Sequence, residues 1–249
     1  MLTTVFALLY YVAFVVFVGG IAYRIWEYKK TPVPLKIPTT PAPITPAGVA
    51  WRMFKEVLFF ESLWKSNKWI WIFAQLFHAS LWLIIIRHLR YFLQPVPELI
   101  ALAQPFGKYA GFTFVLGALG LLGRRLLVPR VRYISAPSDY LMLLLFLGIG
   151  LSGLSMTFVN KPDIVGVKAF FLGLMTFDWQ PFPASLPLVV HLGLVALWMI
   201  IFPFSKLLHA PGIFFSPTRN AADNPREKFY PSPVLPPIEQ AQYDPPHGA

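Results

Sequence analysis

The sequence predicts an all-α integral membrane protein, a bundle of five transmembrane helices with its N-terminus outside and its C-terminus inside. Hydrophobic residues make up 56% of the 249 residues, and the mean hydropathy is +0.59. The apolar residues are gathered into five blocks, each close to the roughly 20 residues that a helix needs to span a bilayer. Lysine and arginine are concentrated in alternate loops between these blocks.

The five apolar blocks predict the transmembrane helices in order, at residues 3–25, 69–93, 109–127, 140–159 and 186–208. The first block could be mistaken for a secretory signal. It lacks a basic residue at its start, is too long for the apolar region of a signal, and has no small-residue cleavage site before Lys29. We therefore expect it to be retained as a helix.

The distribution of basic residues predicts the orientation, because loops rich in lysine and arginine stay on the cytoplasmic side. Eight such residues end or follow the first block, four end or follow the third, and four end or follow the fifth. The alternate loops carry fewer, namely Arg87, Arg90 and Lys108 on one and Lys161 and Lys168 on the other. The same rule accounts for the net charge of +10, so the charge implies no nucleic-acid partner.

Cysteine is absent from the sequence. Iron–sulfur clusters and covalently attached c-type haem both require cysteine. The sequence therefore excludes both on this chain, and other subunits would have to supply any clusters.

Three segments outside the apolar blocks complete the predicted organisation. Residues 31–48 contain six prolines and one charge, which predicts an extended segment, either a surface linker or a docking strap. Residues 49–68 alternate aromatic and basic residues, as in an amphipathic helix at the lipid headgroups. The predicted units are a first transmembrane helix (1–30), a cytoplasmic strap with an interfacial helix (31–68), a dihaem-binding bundle (69–209) and an extended cytoplasmic docking tail (210–249).

Four of the five histidines lie in or directly after two of the apolar blocks, His78 and His88 in the second, His191 in the fifth and His209 one residue beyond it. Histidine inside a membrane is costly to desolvate and usually marks a function. Two pairs on two helices could bind two haems b, with one imidazole from each helix as an axial ligand of each iron. The alternative is that each histidine is a polar residue hydrogen-bonded to a neighbour.

Helix geometry predicts how the histidines pair. His191 and His209 are 18 residues apart, on one face and separated by roughly 27 Å, whereas 10 residues separate His78 from His88, or roughly 15 Å. Because the two helices run in opposite directions, His88 should pair with His191 towards the outer face and His78 with His209 towards the inner face. Helix tilt, tilted haem planes or a bend at Pro203, with His209 at or beyond the helix end, could absorb the mismatch of roughly 12 Å.

Three basic residues near the outer face are less clearly assigned by the sequence. Arg87 and Arg90 could pair with haem propionates or extend to the lipid headgroups. Lys108 could bond a quinone carbonyl, or could be an ordinary lysine flanking a membrane helix. The sequence also leaves open a transporter subunit, which would need polar or broken helices at the midplane, and a passive anchor for cytoplasmic proteins.

The segments LFHASLWLIIIRH, RRLLVPRVR and FPFSKLLH resemble signatures of the gamma subunits of respiratory nitrate reductases. The resemblance covers roughly residues 70–212. It implies a quinone oxidoreductase subunit with five spans and two haems b, in a bacterial or archaeal cytoplasmic membrane. All four histidines match the family's ligands. The resemblance also places Lys108 in a quinol site that takes menaquinone or ubiquinone. Arg87 is a second expected quinone-site residue, although that family has glycine before this ligand.

Within the family, the tail HAPGIFFSPTRNAADNPREK and the proline-rich loop resemble the cytochrome b subunits (DsrM) of Dsr membrane complexes. This resemblance implies a role in dissimilatory sulfur metabolism with a cytoplasmic iron–sulfur subunit (DsrK-like) related to heterodisulfide reductases, and with DsrC as the substrate of the complex. It also implies a periplasmic multihaem cytochrome c, a periplasmic iron–sulfur protein and a second membrane subunit. A nitrate reductase or another related quinone-linked reductase is the alternative.

Overall fold

The computed structural model describes residues 1–32 and 37–223. Within these ranges every regular element is a helix, and five helices are long and apolar enough to cross a membrane. The predicted all-helical fold with five candidate spans is therefore confirmed. The helices are α1 (Leu2–Lys30), α2 (Pro46–Phe59), α3 (Glu61–Ser66), α4 (Lys68–His88), α5 (Glu98–Leu127), α6 (Pro129–Ile134), α7 (Pro137–Phe158), α8 (Ile164–Thr176), α9 (Leu186–Ile201), α10 (His209–Gly212) and α11 (Pro217–Asn220).

The five long helices pack in an open row. Helix α4 packs against α5, α5 against α7, α7 against α9, and α9 against α1. Among the described residues, α4 and α9 do not form one of the closely packed helix pairs. The row therefore leaves an opening between these two helices, which are the ones that carry or lead to the four histidines.

Small residues bring α5 close to the backbone of α4. A Cβ atom added at Gly117 would lie 2.7 Å from the backbone nitrogen of Phe77 and 3.0 Å from the carbonyl oxygen of Phe73. The hydroxyl groups of Ser80 and Thr113 form a hydrogen bond of 2.6 Å across the same interface. Close backbone approach and interhelical hydrogen bonds are the main sources of helix association in lipid. They fix α4, and with it His78 and His88, against α5.

The third span begins earlier than the sequence predicts, at Glu98 instead of residue 109. Pro105 lies inside this helix, and together with the charges of Glu98 and Lys108 it lowers the apolar signal of the first three turns. Lys108 is consequently inside α5, roughly 15 Å along the axis from the first residue of the helix, and not in the loop before it.

Helix α8, which the sequence analysis did not predict, covers the end of the bundle where α1 begins. Its N-terminus is capped by the Asp163 carboxylate, which accepts hydrogen bonds from the backbone N–H groups of Val165 and Gly166. Phe170 of α8 is 1% exposed and packs in an apolar cluster that includes Phe6 of α1. We call this end of the bundle the α8 end.

The opposite end of the bundle carries α2 and α3, and we call it the α2 end. The predicted single amphipathic helix is divided at Phe60, whose φ of 50° and ψ of 49° lie in the left-handed region. Lys55 and Lys65 each contact the Glu61 carboxylate at 2.7 Å. These hydrogen bonds lower the pKa of Glu61 to about 2, and the bond from Lys55 has the largest effect.

The C-terminal segment docks on α2. The Arg219 guanidinium bonds the Glu56 carboxylate at 3.2 Å and the Ser62 hydroxyl at 2.5 Å, and Glu56 is buried. The Thr39 N–H donates to the carbonyl of Thr218 at 3.0 Å, so the proline-rich strap runs beside this segment. Residues 209–220 form short helical turns. Residues 33–36 of the strap and 224–249 of the predicted tail lie outside the described residues.

Candidate functional site

The four intramembrane histidines come together as two pairs across the opening between α4 and α9. The ring centroids of His88 and His191 are 6.3 Å apart and the two rings are nearly parallel, at 16°. The ring centroids of His78 and His209 are 6.1 Å apart and the rings are nearly perpendicular, at 86°. The pairs are those expected from the sequence. The His88–His191 pair lies towards the α8 end and the His78–His209 pair towards the α2 end.

The separation within each pair fits a metal ion bound by both imidazoles. A bond from a histidine nitrogen to a metal is about 2.0 Å long, and the nitrogen lies about 1.1 Å from the ring centre, so two axial imidazoles place their centroids about 6.2 Å apart. The observed values are 6.1 and 6.3 Å. Direct hydrogen bonding or stacking of the rings would bring them closer together. The residues present therefore fit two bis-histidine haem sites.

Hydrogen bonds at Nδ1 determine which nitrogen of each ring is free. In three of the histidines Nδ1 lies 2.6 to 2.9 Å from a backbone carbonyl oxygen, which can only accept. Nδ1 must carry the proton in these rings, and the lone pair is left on Nε2. The accepting carbonyls belong to Ala74 for His78, to Ile84 for His88 and to Lys206 for His209. Metal-ligating histidines are oriented in this way.

His191 reaches the same protonation state through a side chain. Its Nδ1 lies 2.9 Å from the hydroxyl oxygen of Ser152 on α7. That hydroxyl lies 2.7 Å from the carbonyl oxygen of Gly148, so its single proton is donated there. Ser152 must therefore accept from Nδ1, and Nε2 of His191 is free to bind a metal. His191 is 7% exposed.

His209 is placed by a break in the last span. Helix α9 ends at Ile201, and two short 3₁₀ turns at Phe202–Phe204 and Lys206–Leu208 lead to His209, the first residue of α10. The α-helix ends two residues before Pro203, and His209 lies beyond the helix end, as the sequence suggested. The calculated separation of roughly 27 Å from His191 does not apply, because residues 202–208 are not α-helical.

An ion pair fixes the segment before His209. The Lys206 ammonium lies 2.8 Å from the Asp139 carboxylate, which is 8% exposed, and the Arg125 guanidinium lies 3.5 Å from the same oxygen. The carbonyl of Lys206 is also the acceptor for Nδ1 of His209. Lys206 therefore connects the α7 carboxylate to the histidine through its own backbone.

Aromatic side chains enclose the His78–His209 pair at the α2 end. The ring of Phe60, at the left-handed junction between α2 and α3, contacts the edge of His78 with a centroid distance of 5.0 Å. Phe77 lies at 5.1 Å on another side. The contact of Phe60 with His78 could not be predicted from the sequence, because the left-handed backbone conformation of Phe60 directs its ring towards α4.

The predicted quinone-site residues lie at the depth of the His88–His191 pair. A Cβ atom at Gly107 would lie 2.7 Å from Cβ of Arg87, so Lys108 of α5 is level with Arg87 and His88. The Lys108 ammonium lies over the rings of Tyr109 and Phe158, 5.6 and 5.4 Å from their centroids. It is therefore directed towards α7, and no recorded contact joins it to His88 or His191.

Arg90 is connected to this histidine pair through Tyr91. Its guanidinium donates to the Tyr91 hydroxyl at 2.8 Å and to Oε1 of Gln104 at 3.1 Å. The Tyr91 ring lies 5.9 Å from the ring of His88. Nε of Arg90 is buried with no hydrogen-bond partner among the described residues. Tyr91 and Gln104 position the Arg90 guanidinium beside the pair, and no sequence pattern indicated their role.

The fold and the paired histidines are typical of membrane-spanning cytochromes b. The chain belongs to the nitrate reductase gamma subunit family, whose model matches residues 46–223. It is a multi-pass membrane protein, as predicted. It is 35% identical to the "Hdr-like menaquinol oxidoreductase cytochrome b-like subunit" of Archaeoglobus fulgidus, over 90% of this chain and 81% of the relative. A protein of the same description from Archaeoglobus profundus is 34% identical, over 93% of this chain and 84% of the relative.

Proposed function

We propose that this chain is the cytochrome b subunit of a membrane-bound menaquinol oxidoreductase complex and holds two haems b. One observation carries the proposal: four intramembrane histidines form two pairs at 6.1 and 6.3 Å, each with Nδ1 hydrogen-bonded and Nε2 free. The names of the two archaeal relatives support the assignment of menaquinol as the substrate.

The chain's own residues hold and orient the two cofactors. His88 and His191 would ligate the one at the α8 end, and His78 and His209 the one at the α2 end. Bound there, haem supplies one-electron transfer. The hydrogen bonds at Nδ1 fix each ring plane and make Nε2 a stronger ligand, and His191 is buried among the apolar helices.

We assign the quinone site to the α8 end, at the depth of the His88–His191 pair. Lys108 and Arg87 would orient the quinone carbonyls, as the family resemblance implies, and Arg90 with Tyr91 lies beside the same pair. The positive-inside rule supports placing this end outside, with the N-terminus, and the α2 end inside. Under this orientation, electrons are exchanged between a quinol near the outer face and a partner on the cytoplasmic side.

The partner at the α2 end would be a cytoplasmic iron–sulfur subunit related to heterodisulfide reductases. The absence of cysteine from this chain requires clusters elsewhere, and the two relatives are called Hdr-like. The resemblance of the tail to DsrM supports the finer assignment to dissimilatory sulfur metabolism, with DsrC as the substrate. The same resemblance supports a periplasmic multihaem cytochrome c, a periplasmic iron–sulfur protein and a second membrane subunit as further partners.

The purified chain should give a reduced-minus-oxidised absorption spectrum typical of b haem, with two haems per polypeptide. Haem extraction against protein concentration gives the stoichiometry. A chain purified from cells supplied with haem but lacking this signal would exclude the electron-transfer function and leave a transporter or an anchor.

Replacing Lys108 with alanine should slow the reduction of the bound haem by a menaquinol analogue at least about tenfold, because a charged hydrogen bond to a substrate is worth about 1.5–3 kcal/mol. The haem spectrum itself should not change. Lys161→Ala is the matched control, since Lys161 is an exposed lysine in the other sparsely charged loop. Equal rates in the two variants would remove Lys108 from the quinone site.

A further inference from the structure

His191 differs from the other three described histidines in the group that orients it. Nδ1 of His78, His88 and His209 donates to backbone carbonyls, which no substitution can remove. Nδ1 of His191 bonds a side chain, the hydroxyl of Ser152, at 2.9 Å, and the backbone of Ile149 lies beside the same ring. This contact joins α7 to α9, and a single substitution can abolish it.

The hydroxyl oxygen of Ser152 acts as the acceptor in this hydrogen bond. It lies 2.7 Å from the carbonyl oxygen of Gly148 and 3.0 Å from that of Ile149, so its one proton is donated into its own helix. Donation to a carbonyl polarises the hydroxyl and strengthens it as an acceptor. The result is a chain of hydrogen bonds from His191 through Ser152 to the α7 backbone.

Space beside His191 is restricted by the same helix. A Cβ atom at Gly153 would lie 3.4 Å from Cε1 and 3.8 Å from Nδ1 of His191, in ordinary van der Waals contact. Gly153 therefore lies beside Cε1 of the ring, next to the hydrogen bond between Ser152 and Nδ1.

We propose that Ser152 is a positioning residue that lowers the reduction potential of the haem held by His88 and His191; this inference rests on the proposed function. A hydrogen bond from Nδ1–H increases the electron density that Nε2 donates to iron. Greater donation stabilises the ferric state more than the ferrous state. Ser152 therefore acts on one of the two sites and leaves the His78–His209 site unaffected.

Removal of the hydroxyl in Ser152→Ala should raise one of the two midpoint potentials. Loss of an outer-shell partner typically costs at least about tenfold in metal affinity. If this loss falls on the ferric state, a tenfold change in the ferric-to-ferrous ratio corresponds to about 59 mV for one electron. The electron paramagnetic resonance signal of the same ferric haem should also change, because the ring of His191 is less tightly oriented.

Two further variants separate this role from a general effect on packing. Ser152→Thr keeps the hydroxyl and should have the wild-type potential. Ser152→Cys has a thiol, a weaker acceptor, and its potential should lie between those of the wild type and Ser152→Ala. Thr157→Ala is the matched control. Thr157 lies on the same helix and donates to the carbonyl of Gly153 at 2.9 Å, the same kind of bond within the helix, without contacting His191.

The experiment is a redox titration of the complete complex, wild type and variants, with both haem signals followed. A rise confined to one potential in Ser152→Ala, absent from Thr157→Ala, supports the inference. Two haems with unchanged potentials in Ser152→Ala overturn it and leave the proposed function intact. Absence of haem from the wild-type protein overturns the proposed function and this inference together.

Discussion

Replacing His191 with alanine is expected to remove one of the two b-haem signals and to leave the other in place. The variant loses the axial ligand at the α8 end, and the single remaining imidazole of His88 cannot hold a six-coordinate, low-spin iron. The reduced-minus-oxidised absorbance should fall to about half, since each of the two haems contributes a similar share of it. The same substitution at His209 should remove the other signal, which differs in its electron paramagnetic resonance spectrum.

Double variants test the pairing directly. Because His88 and His191 serve one site, the double variant should lose no more haem than either single variant. The combination of His191→Ala with His209→Ala should lose both haems. His247→Ala is the control, since this histidine belongs to neither pair. Complete loss of haem in the His88 and His191 double variant, with partial loss in each single one, would contradict the pairing.

Substitution of Gly117 with alanine is expected to destabilise the packing of α5 against α4. The added Cβ would lie 2.7 Å from a backbone nitrogen of α4 and 3.0 Å from a carbonyl oxygen, and neither atom can rotate away. Helix α4 must therefore move outward, at a cost of about 1–3 kcal/mol. We expect a lower thermal midpoint for the detergent-solubilised protein and weaker haem retention, because α4 carries His78 and His88.

Gly123 provides the matched control on the same helix. A Cβ added there meets no atom within 4 Å, so Gly123→Ala should leave the thermal midpoint and the haem content unchanged. The structural argument is refuted if the two alanine variants are equally stable, or if Gly123→Ala is the less stable of the two.

The number and type of the membrane helices could be predicted from the sequence because length and apolarity alone define a span. Their ends could not. Helix α5 extends to Glu98 through Pro105, where the apolar signal is weak. Helix α8 was not predicted because its 13 residues are too few to span. It is stabilised by contacts with α1, which is distant in sequence.

The pairing of the histidines followed from two antiparallel helices and the depth of each residue, so the sequence was sufficient. The path of the chain to His209 was predicted only in part, since the bend at Pro203 was expected but the two 3₁₀ turns were not. Ser152, Phe60 and Asp139 could not be found in this way. Their contacts depend on how far one helix is shifted or rotated against the next, which periodicity along a single helix does not report.

The opening between α4 and α9 has a consequence for biogenesis. Every other neighbouring pair of long helices in the described chain is held by its own packing, whereas this seam would be closed by porphyrin. Because a ligand that binds the folded chain adds its binding free energy to stability, a freshly inserted polypeptide is weakest along that seam. The cell's supply of porphyrin would then govern how much of the newly made subunit survives membrane proteolysis, and a starved culture should accumulate fragments cut near the ends of α4 and α9.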